Sequence, residues 1–482
     1  MQYTINGTIM NWKNILCEDR IRQFSKPTSS RDLRTEFEKD YHRIISSAAF
    51  RRLQDKTQVF PLDKNDYVRT RLTHSLEVSS FARSLGQSVG QSIINNKLSK
   101  DFSYEQRESI SDILECAGLI HDIGNPPFGH FGESAIQDWC KNNFVKLTFK
   151  EKKIDEILSD EQKNDFYHFE GNAQALRVVS KLHFLVDENG MNLTKALLST
   201  IIKYPVNSTG IDKYSGNIRT KKMGYFDADK DIFENVDASV GSNGNRNPLT
   251  YLLEAADDIA YLTADIEDSL KKGMISLDTL ILEINKRISK SQNKEAADFA
   301  NQCLEKLNKK YEKATDKNLS EPDVYAIENW MVIVQGQVLQ LVTDCFVDNY
   351  ESIMAGTFAK SLIEESKAGL LMNILGDIAF KYTFTSKPIY KLEIAADTIL
   401  NFLLDKFMKA ILYYDTDEKL SVVDKKIISM ISRDYMHIYH YYSEGKSESD
   451  RLYLRLLLVT DYICGMTDSF AKNLYQEFNG LI

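Results

Sequence analysis

Residues 121–133 read HDIGNPPFGHFGE, and this stretch decides what kind of protein the chain can be. The adjacent His121 and Asp122 offer one nitrogen and one oxygen ligand to a single divalent metal. They end an apolar helical pattern over Glu108–Ile120, where a buried charge needs a partner or a metal. A second pair, His130 and Glu133, follows on the next predicted helix. The stretch therefore indicates a metal-assisted hydrolase.

Two further ligand candidates lie outside this stretch. His74 falls on the apolar face of a helix predicted over Arg71–Val89, where a core histidine is the alternative interpretation. Asp257 begins a polar stripe at i, i+4 and i+8 on another predicted helix, and a solvated acidic face would have the same pattern. Two nitrogen and two oxygen ligands suit Mg²⁺, Mn²⁺, Fe²⁺, Ni²⁺ or Zn²⁺ and leave positions for water and a phosphate oxygen. The predicted ligand set is His74, His121, Asp122 and Asp257.

His130 and Glu133 are candidates for proton transfer. Because they are three residues apart, they share one face of a helix. The carboxylate can hold the tautomer of the imidazole and raise its basicity while the ring moves a proton. The alternative interpretation is a capping contact at the start of the helix.

Cationic residues gather near the same motifs. Arg71 lies three residues before His74, on nearly the same helix face. A triphosphate carries several negative charges, so several arginines and lysines must converge on it. The sequence has no GxxxxGK[ST] loop, which excludes P-loop chemistry. The cations near the motifs are Arg51, Arg52, Arg69, Arg71, Lys203, Arg219, Lys221 and Lys222.

Composition narrows the class of protein. The net charge of −9 argues against a surface devoted to nucleic acid. Six cysteines without a CxxC pair indicate free thiols in a reducing compartment. Only 8 prolines and 22 glycines in 482 residues favour a mostly helical fold. Neither a signal pattern nor a run of about 18 apolar residues is evident, so we expect a soluble cytoplasmic protein without a membrane span.

The predicted fold is all-α with one small β-hairpin between Lys56 and Arg71. We expect a catalytic core with the metal site over residues 1–275, including the N-terminal segment. Residues 205–248 are rich in Gly, Asn and Ser and are predicted to form a functional loop or lid. A C-terminal helical region over residues 276–482 is predicted to pack on the core as part of one structural unit.

Several motifs together resemble one family. They are FRRLQDKTQVFP (50–61), RLTHSLEV (71–78), the 121–133 stretch, HFEGNAQ (168–174), EAADDIAY (254–261) and DYICGMTD (461–468). In this order they resemble the bacterial deoxyguanosine triphosphate triphosphohydrolases (dGTPases) of the HD-domain superfamily, over roughly residues 10–475. The resemblance implies a nucleotide-binding hydrolase of dNTP metabolism that splits a dNTP into deoxynucleoside and inorganic triphosphate by metal-assisted attack at the α-phosphate.

The resemblance also implies roles for individual residues. The metal ligands are again His74, His121, Asp122 and Asp257, and His130 with Glu133 is the catalytic acid/base pair. Arg71 contacts the α-phosphate, Gln58 and Asp265 read the sugar 3′-OH, Val59 packs near C2′, and Tyr261 lies beside the sugar and phosphates. Triphosphate contacts are Asn172, Lys203, Tyr204 and Lys222.

The resemblance implies a metal cofactor, Mg²⁺ or Mn²⁺ first, and a homo-oligomer, commonly a hexamer. It leaves open a nucleotide or single-stranded DNA effector. Two other readings stay open at this point. One is an HD phosphohydrolase acting on nucleotide monophosphates or cyclic nucleotides, and the other is a non-catalytic nucleotide or DNA sensor. The intact acid/base pair argues against the sensor.

Overall fold

The computed structural model describes residues 9–22, 32–60, 68–184 and 186–481. Their regular secondary structure is almost entirely helical, which confirms the predicted all-α class. The first helices are α1 (Trp12–Ile15), α2 (Glu36–Ser46), α3 (Ala48–Arg52), α4 (Arg71–Asn95), α5 (Tyr104–Ile120), α6 (Gly129–Asn143), α7 (Ile154–Ile157), α8 (Asp160–Tyr167), α9 (Gly171–Arg177), α10 (Lys195–Ile201), α11 (Lys230–Val240) and α12 (Pro248–Lys271).

The remaining helices run from residue 277 to residue 478. They are α13 (Leu277–Ile288), α14 (Lys294–Asp316), α15 (Pro322–Asp348), α16 (Tyr350–Met354), α17 (Leu362–Glu365), α18 (Gly369–Ala379), α19 (Lys387–Ile411), α20 (Val422–Ile428), α21 (Arg433–Ser443), α22 (Glu448–Cys464) and α23 (Asp468–Phe478). Short 3₁₀ turns cover Leu53–Asp55, Ser208–Gly210, Ile218–Thr220 and Asp227–Asp229, and π turns cover Val178–Leu182 and Phe380–Phe384.

The antiparallel pair α4 and α5 forms the centre of the fold. Thr70 caps the start of α4 through the backbone N–H of Thr73, and Ser103 caps α5 in the same way. The two helices approach very closely at Gly118, because a Cβ there would lie only 2.5 Å from the Cα of Ser79. This contact fixes the end of α5, and therefore the residues that follow it, against the first turns of α4.

Helix α12 completes this central layer. Asn247 caps it and Pro248 occupies its first turn, where the missing N–H has no intrahelical partner to lose. It packs against α4, α5 and α10, and its buried face includes Leu252, Ala256 and Ile259. Small side chains such as Ala256 on this face allow α12 to pack closely, which brings the polar stripe of α12 near α4 and α5.

A small β-hairpin that was not predicted lies at residues 148–153. In the described residues the two named strands are β1 (Thr148–Phe149) and β2 (Lys152–Lys153), which pair antiparallel. Residues 61–67, the tip of the hairpin predicted between Lys56 and Arg71, lie outside the described residues. Of that hairpin, the structure describes one antiparallel bridge, between Thr57 and Thr70.

Two large apolar clusters form the core. One combines α4, α5, α10 and α12 with α13–α18, and the other combines α6 and α8 with α19–α23. Each cluster thus takes residues from both sides of the predicted boundary at 275/276, and the domain division stays a prediction. The segment 205–248, predicted as a loop, contains α11 and three of the 3₁₀ turns, because Ile232, Phe233 and Val236 give residues 230–240 a buried helical face.

One helix bears on the expectation of no membrane span. By length and composition α15 could cross a membrane, and 44% of its most apolar window is buried. Its buried face includes Trp330, Val334 and Val338 and packs against α4, α12 and α14. A core helix of a soluble protein passes the same test of length and hydropathy.

Candidate active site

The four predicted metal ligands converge where α4, α5 and α12 meet. His74 lies in the first turns of α4, His121 and Asp122 directly follow α5, and Asp257 lies on α12. Ligand atoms of His74, His121 and Asp122 all lie within 4.8 Å of one another. The Oδ1 atom of Asp257 is 3.1 Å from Nε2 of His74 and 3.4 Å from Nε2 of His121. Segments separated by more than 180 residues therefore place two imidazoles and two carboxylates around one point.

The donor set fits a divalent cation. Nδ1 of His121 lies 2.8 Å from the carbonyl oxygen of Gly118, which assigns the proton to Nδ1 and leaves the lone pair on Nε2. That buried Nε2 has no hydrogen-bond partner among the described residues, although it lies 3.5 Å from Oδ2 of Asp122. A lone pair that faces two carboxylates is unfavourable unless a cation lies between them. These residues could therefore hold a divalent metal.

Charges around the cluster keep both carboxylates ionised. Burial alone would raise the pKa of Asp122, but the Arg71 guanidinium, 2.5 Å away, and the imidazoles hold it well below its usual range. Burial would likewise raise the pKa of Asp257, but Lys203, at 2.8 Å, and His121 keep it low. An ionised carboxylate is the form that binds a metal.

The predicted acid/base pair is formed and accessible. Nδ1 of His130 lies 2.8 Å from Oε2 of Glu133, while the backbone N–H of Gly171 donates to Oε1 of Glu133 at 2.7 Å. The His130 side chain is 78% exposed and that of Glu133 only 6%. The hydrogen bond to Glu133 and its negative charge raise the pKa of His130. A buried carboxylate thus orients an exposed imidazole, as proton transfer to a bound molecule requires.

Two of the predicted triphosphate contacts meet at a residue that the sequence analysis missed. Glu170, which is 4% exposed, accepts from Lys222 Nζ at 2.7 Å and from Asn172 Nδ2 at 2.6 Å. Burial and the nearby charge of Glu133 raise the pKa of Glu170. The neighbouring Gly171 packs against residues 121–128, the loop between α5 and α6 that we call the metal loop, because a Cβ at Gly171 would lie 1.9 Å from Oδ1 of Asn125. The glycine in FEGN was the available signal for this close contact.

The other cations have distinct surroundings. Lys203 pairs with Asp257, and Tyr204 beside it is buried, which raises the pKa of its hydroxyl. Arg69, in contrast, is held by carboxylates of Glu77, Glu267 and Asp268. Arg71 and Lys203 therefore pair with predicted metal ligands, and Lys222 pairs with Glu170. Arg69 pairs with none of these residues.

The predicted sugar-reading residues lie along two elements. Asp257, Tyr261 and Asp265 recur on one face of α12, so Tyr261 is about 6 Å and Asp265 about 12 Å along the helix from Asp257. Gln58 Oε1 and Asp265 Oδ2 are buried acceptors without a hydrogen-bond partner among the described residues.

Phe384 links the Val59 segment to α12. Its ring lies nearly parallel to that of Tyr261, 6.5 Å between centroids. It also packs against the small apolar cluster that contains Val59, Phe60 and Ile389. Nothing in the spacing of the motifs pointed to Phe384, because it is more than 100 residues from either partner.

The chain is similar to known proteins over almost its whole length. Residues 71–202 match the HD domain family. A deoxyguanosinetriphosphate triphosphohydrolase-like protein of Listeria innocua is 48% identical over 98% of this chain and 100% of its own length. A protein of the same name from Synechocystis is 33% identical over 98% of this chain and 100% of its own. A deoxyguanosinetriphosphate triphosphohydrolase of Yersinia enterocolitica is 32% identical over 95% of this chain and 96% of its own.

Proposed function

Because the chain belongs to the deoxyguanosine triphosphate triphosphohydrolase family of HD-domain proteins, we propose that it hydrolyses dGTP to deoxyguanosine and inorganic triphosphate. In general class the chain is a dNTP triphosphohydrolase. We further propose that the enzyme prefers guanine as the base and that attack occurs at the α-phosphate. The observation that carries it is the convergence of His74, His121, Asp122 and Asp257 beside the exposed His130.

A divalent metal would be held by those four residues. We propose Mg²⁺ or Mn²⁺, while Ni²⁺, Fe²⁺ and Zn²⁺ suit the same donors. When bound, the metal supplies Lewis-acid polarisation of a phosphate oxygen and lowers the pKa of water. The chain's own residues then bind the phosphates, orient the sugar and move the proton.

His130 is the residue that moves the proton. Its ring is exposed, so it can reach a bound nucleotide, and Glu133 fixes the orientation of the ring from behind. In one direction the imidazole accepts the proton of the attacking water at Nε2; in the other, the imidazolium donates to the 5′-oxygen of the leaving nucleoside. In both directions Glu133 stabilises the protonated ring.

The cations bind the triphosphate by exchanging partners. Arg71, Lys203 and Lys222 each lie within 2.8 Å of a carboxylate oxygen, of Asp122, Asp257 and Glu170 respectively. Their donors are therefore already gathered at the site and need little ordering when phosphate oxygens arrive. Arg71 contacts the α-phosphate in this arrangement, and Lys203, Tyr204, Asn172 and Lys222 contact the rest.

The sugar is recognised on the α12 side of the site. Gln58 Oε1 and Asp265 Oδ2 are buried acceptors, and a buried acceptor without a donor is costly. The 3′-hydroxyl of a deoxynucleotide supplies such a donor. Val59, which is 7% exposed, would pack near C2′, where a 2′-hydroxyl would need room, and Tyr261 would lie beside the sugar. Deoxynucleotides are thereby favoured over ribonucleotides.

Product analysis tests the proposal. The purified protein is incubated with each dNTP and with GTP, in Mn²⁺ or Mg²⁺, and nucleosides and phosphates are separated by chromatography. Deoxyguanosine with intact triphosphate, formed fastest from dGTP, is the expected result. Monophosphate or pyrophosphate products, or turnover of cyclic nucleotides instead, would assign a different HD phosphohydrolase. No turnover with nucleotides and single-stranded DNA added would favour a non-catalytic sensor.

We propose a cytoplasmic homo-oligomer, a hexamer as in the resembled family, that responds to a nucleotide or to single-stranded DNA. Light scattering gives the subunit count, and the product assay with and without each effector measures any stimulation. A monomer at the protein concentrations used in the assay would contradict the oligomer.

The charge of Glu133 should set the pH range of activity. Since Glu133 raises the pKa of His130, the Glu133→Gln variant has a lower His130 pKa. The limb of the kcat/KM–pH profile that reports His130 should then move to lower pH, whether the active form of the ring is protonated or neutral. Asp138→Asn, which neutralises an exposed carboxylate on the same helix, is the control and should leave the limb in place. An unchanged limb in Glu133→Gln would remove His130 from the acid/base role.

A further inference from the structure

The turn between α22 and α23 lies directly behind two substrate-facing segments. Asp468, the first residue of α23, is 1% exposed. Its Oδ2 accepts hydrogen bonds from the backbone N–H of Thr57, at 3.0 Å, and from the Thr57 hydroxyl. Its Oδ1 accepts from the backbone N–H of Phe128 at 2.8 Å. One carboxylate therefore joins three parts of the chain that are up to 411 residues apart.

A buried lysine strengthens the same junction. Lys56 Nζ donates to the carbonyl oxygens of Asn125, at 2.5 Å, and Cys464, at 2.6 Å. Asn125 in turn donates from Nδ2 to Oδ1 of the metal ligand Asp122 at 2.7 Å. The metal loop is thus bonded through Lys56 to the last turn of α22, and through Asp468 to the first turn of α23.

Both segments held by Asp468 lead into residues of the site. Gln58 and Val59 directly follow Thr57. Thr57 also forms an antiparallel bridge with Thr70, and beside this bridge the backbone N–H of Arg71 donates to the carbonyl oxygen of Lys56 at 3.0 Å. A shift of Thr57 would therefore displace the sugar-reading residues.

The second segment leads into His130. Phe128 has a left-handed backbone with φ of 65°, a costly conformation for a residue other than glycine, and Gly129 follows with φ of 63°. The Asp468–Phe128 bond holds this strained turn, and His130 comes two residues after Phe128. A Cβ at Gly129 would lie 2.6 Å from Nη2 of Arg71, so the turn also packs on the phosphate-binding arginine.

We propose that Asp468 is a positioning residue that sets, through one buried carboxylate, both the discrimination against ribonucleotides and the orientation of His130. This inference rests on the proposed function. Through Thr57, Asp468 fixes where Gln58 and Val59 meet the sugar. Through Phe128, it fixes where His130 meets the reacting group. The C-terminal helices thereby act on catalysis without touching the substrate.

The test compares Asp468→Asn with the wild type, using dGTP and GTP as substrates. The asparagine amide has one acceptor atom, its oxygen, and its nitrogen can only donate. The backbone N–H of either Thr57 or Phe128 therefore loses its hydrogen bond. We expect kcat/KM for dGTP to fall by about 10- to 100-fold, in line with the loss of a buried charge-assisted hydrogen bond. The dGTP/GTP ratio should fall by about 10-fold, and the His130 limb of the pH profile should move to lower pH as contact with Glu133 weakens.

Variants of Thr57 separate the two connections. Thr57→Val loses only the hydroxyl bond to Asp468, so the dGTP/GTP ratio should fall while the His130 limb stays in place. Thr57→Ser keeps a hydroxyl and should restore the ratio. Ser469→Ala is the matched control, because the Ser469 hydroxyl lies in the same turn but donates to Asp55 at 2.9 Å instead of to Thr57 or Phe128. It should match the wild type in both measurements.

Each outcome decides the inference. If Asp468→Asn is folded, and its activity falls equally for dGTP and GTP with an unmoved pH limb, Asp468 only supports the fold and the inference is wrong. If Asp468→Asn does not fold, the Thr57→Val ratio decides, and an unchanged ratio overturns the inference. A wild type without dNTP turnover would instead overturn the proposed function, which separates the two failures.

Discussion

Asp257→Ala is expected to lower dNTP turnover by more than about 100-fold, since even residues that only support a metal ligand cost about 10- to 100-fold when removed. Asp257 Oδ1 lies 3.1 and 3.4 Å from the two imidazole nitrogens, and its Oδ2 pairs with Lys203 at 2.8 Å. Without this carboxylate the cluster has one oxygen donor fewer, and the buried lysine loses its counter-charge. The measurements are kcat/KM with dGTP and the amount of Mn²⁺ bound per chain.

The neighbouring aspartate is the matched control. Asp258 lies among the charges of Glu254, Asp257, Lys203 and Lys221, and burial with the two nearby carboxylates raises its pKa well above the usual range. Along the helix, Asp258 is rotated by about 100° from Asp257, so it does not share the face that carries Asp257. Asp258→Ala should therefore retain turnover within about twofold. Equal loss in both variants, with melting temperatures unchanged, would show that the choice of Asp257 as ligand is wrong.

His130→Ala should lower kcat by about 10²- to 10⁴-fold, the range for loss of a general acid or base. Because the His130 side chain is 78% exposed, its removal takes little packing from the core, and stability should change by no more than about 0.5 kcal/mol. Metal binding should persist, because among the described residues none of the four predicted metal ligands contacts the His130 ring. The kcat–pH profile should also lose the limb that His130 contributes.

The control for His130 is on the same helix. Ser134 is exposed and donates from its hydroxyl only to the carbonyl of His130 at 3.2 Å, so Ser134→Ala should behave as the wild type. Turnover by His130→Ala within about twofold of the wild type would exclude proton transfer by this ring. A similar loss in Ser134→Ala would point instead to a distorted helix start.

Much of the site was predictable because its chemistry is local in the sequence. His121 and Asp122 are adjacent and come at the end of an apolar helix, and the three-residue spacing of His130 and Glu133 puts them on one helix face. Glu170 was missed, although it lies inside the HFEGNAQ motif. Its role depends on Lys222, which is 52 residues away and reaches it only in the folded chain.

The fold was predictable at the level of helices and less so in the polar segments. The helix predicted over Arg71–Val89 begins as expected and continues to Asn95. Of the hairpin predicted between Lys56 and Arg71, residues 61–67 lie outside the described residues and the bridge between Thr57 and Thr70 is seen. The hairpin formed by strands at 148–149 and 152–153 was not predicted. The sequence pattern did not predict that hairpin, because Lys152 and Lys153 are exposed and, of the four strand residues, only Phe149 is buried. A two-residue strand has no hydrophobic period from which to recognise it.

Sequence alone determined the helical class of this protein and the kinds of atoms in its site, because helix periodicity and the donor chemistry of His, Asp and Glu belong to the residues themselves. Tertiary structure alone decided which cation pairs with which carboxylate, and it placed Asp468 against both Thr57 and Phe128. The physical reason is distance along the chain. Such contacts exist only after α4, α5, α12 and α22 have packed, and packing depends on the fit of many side chains at once.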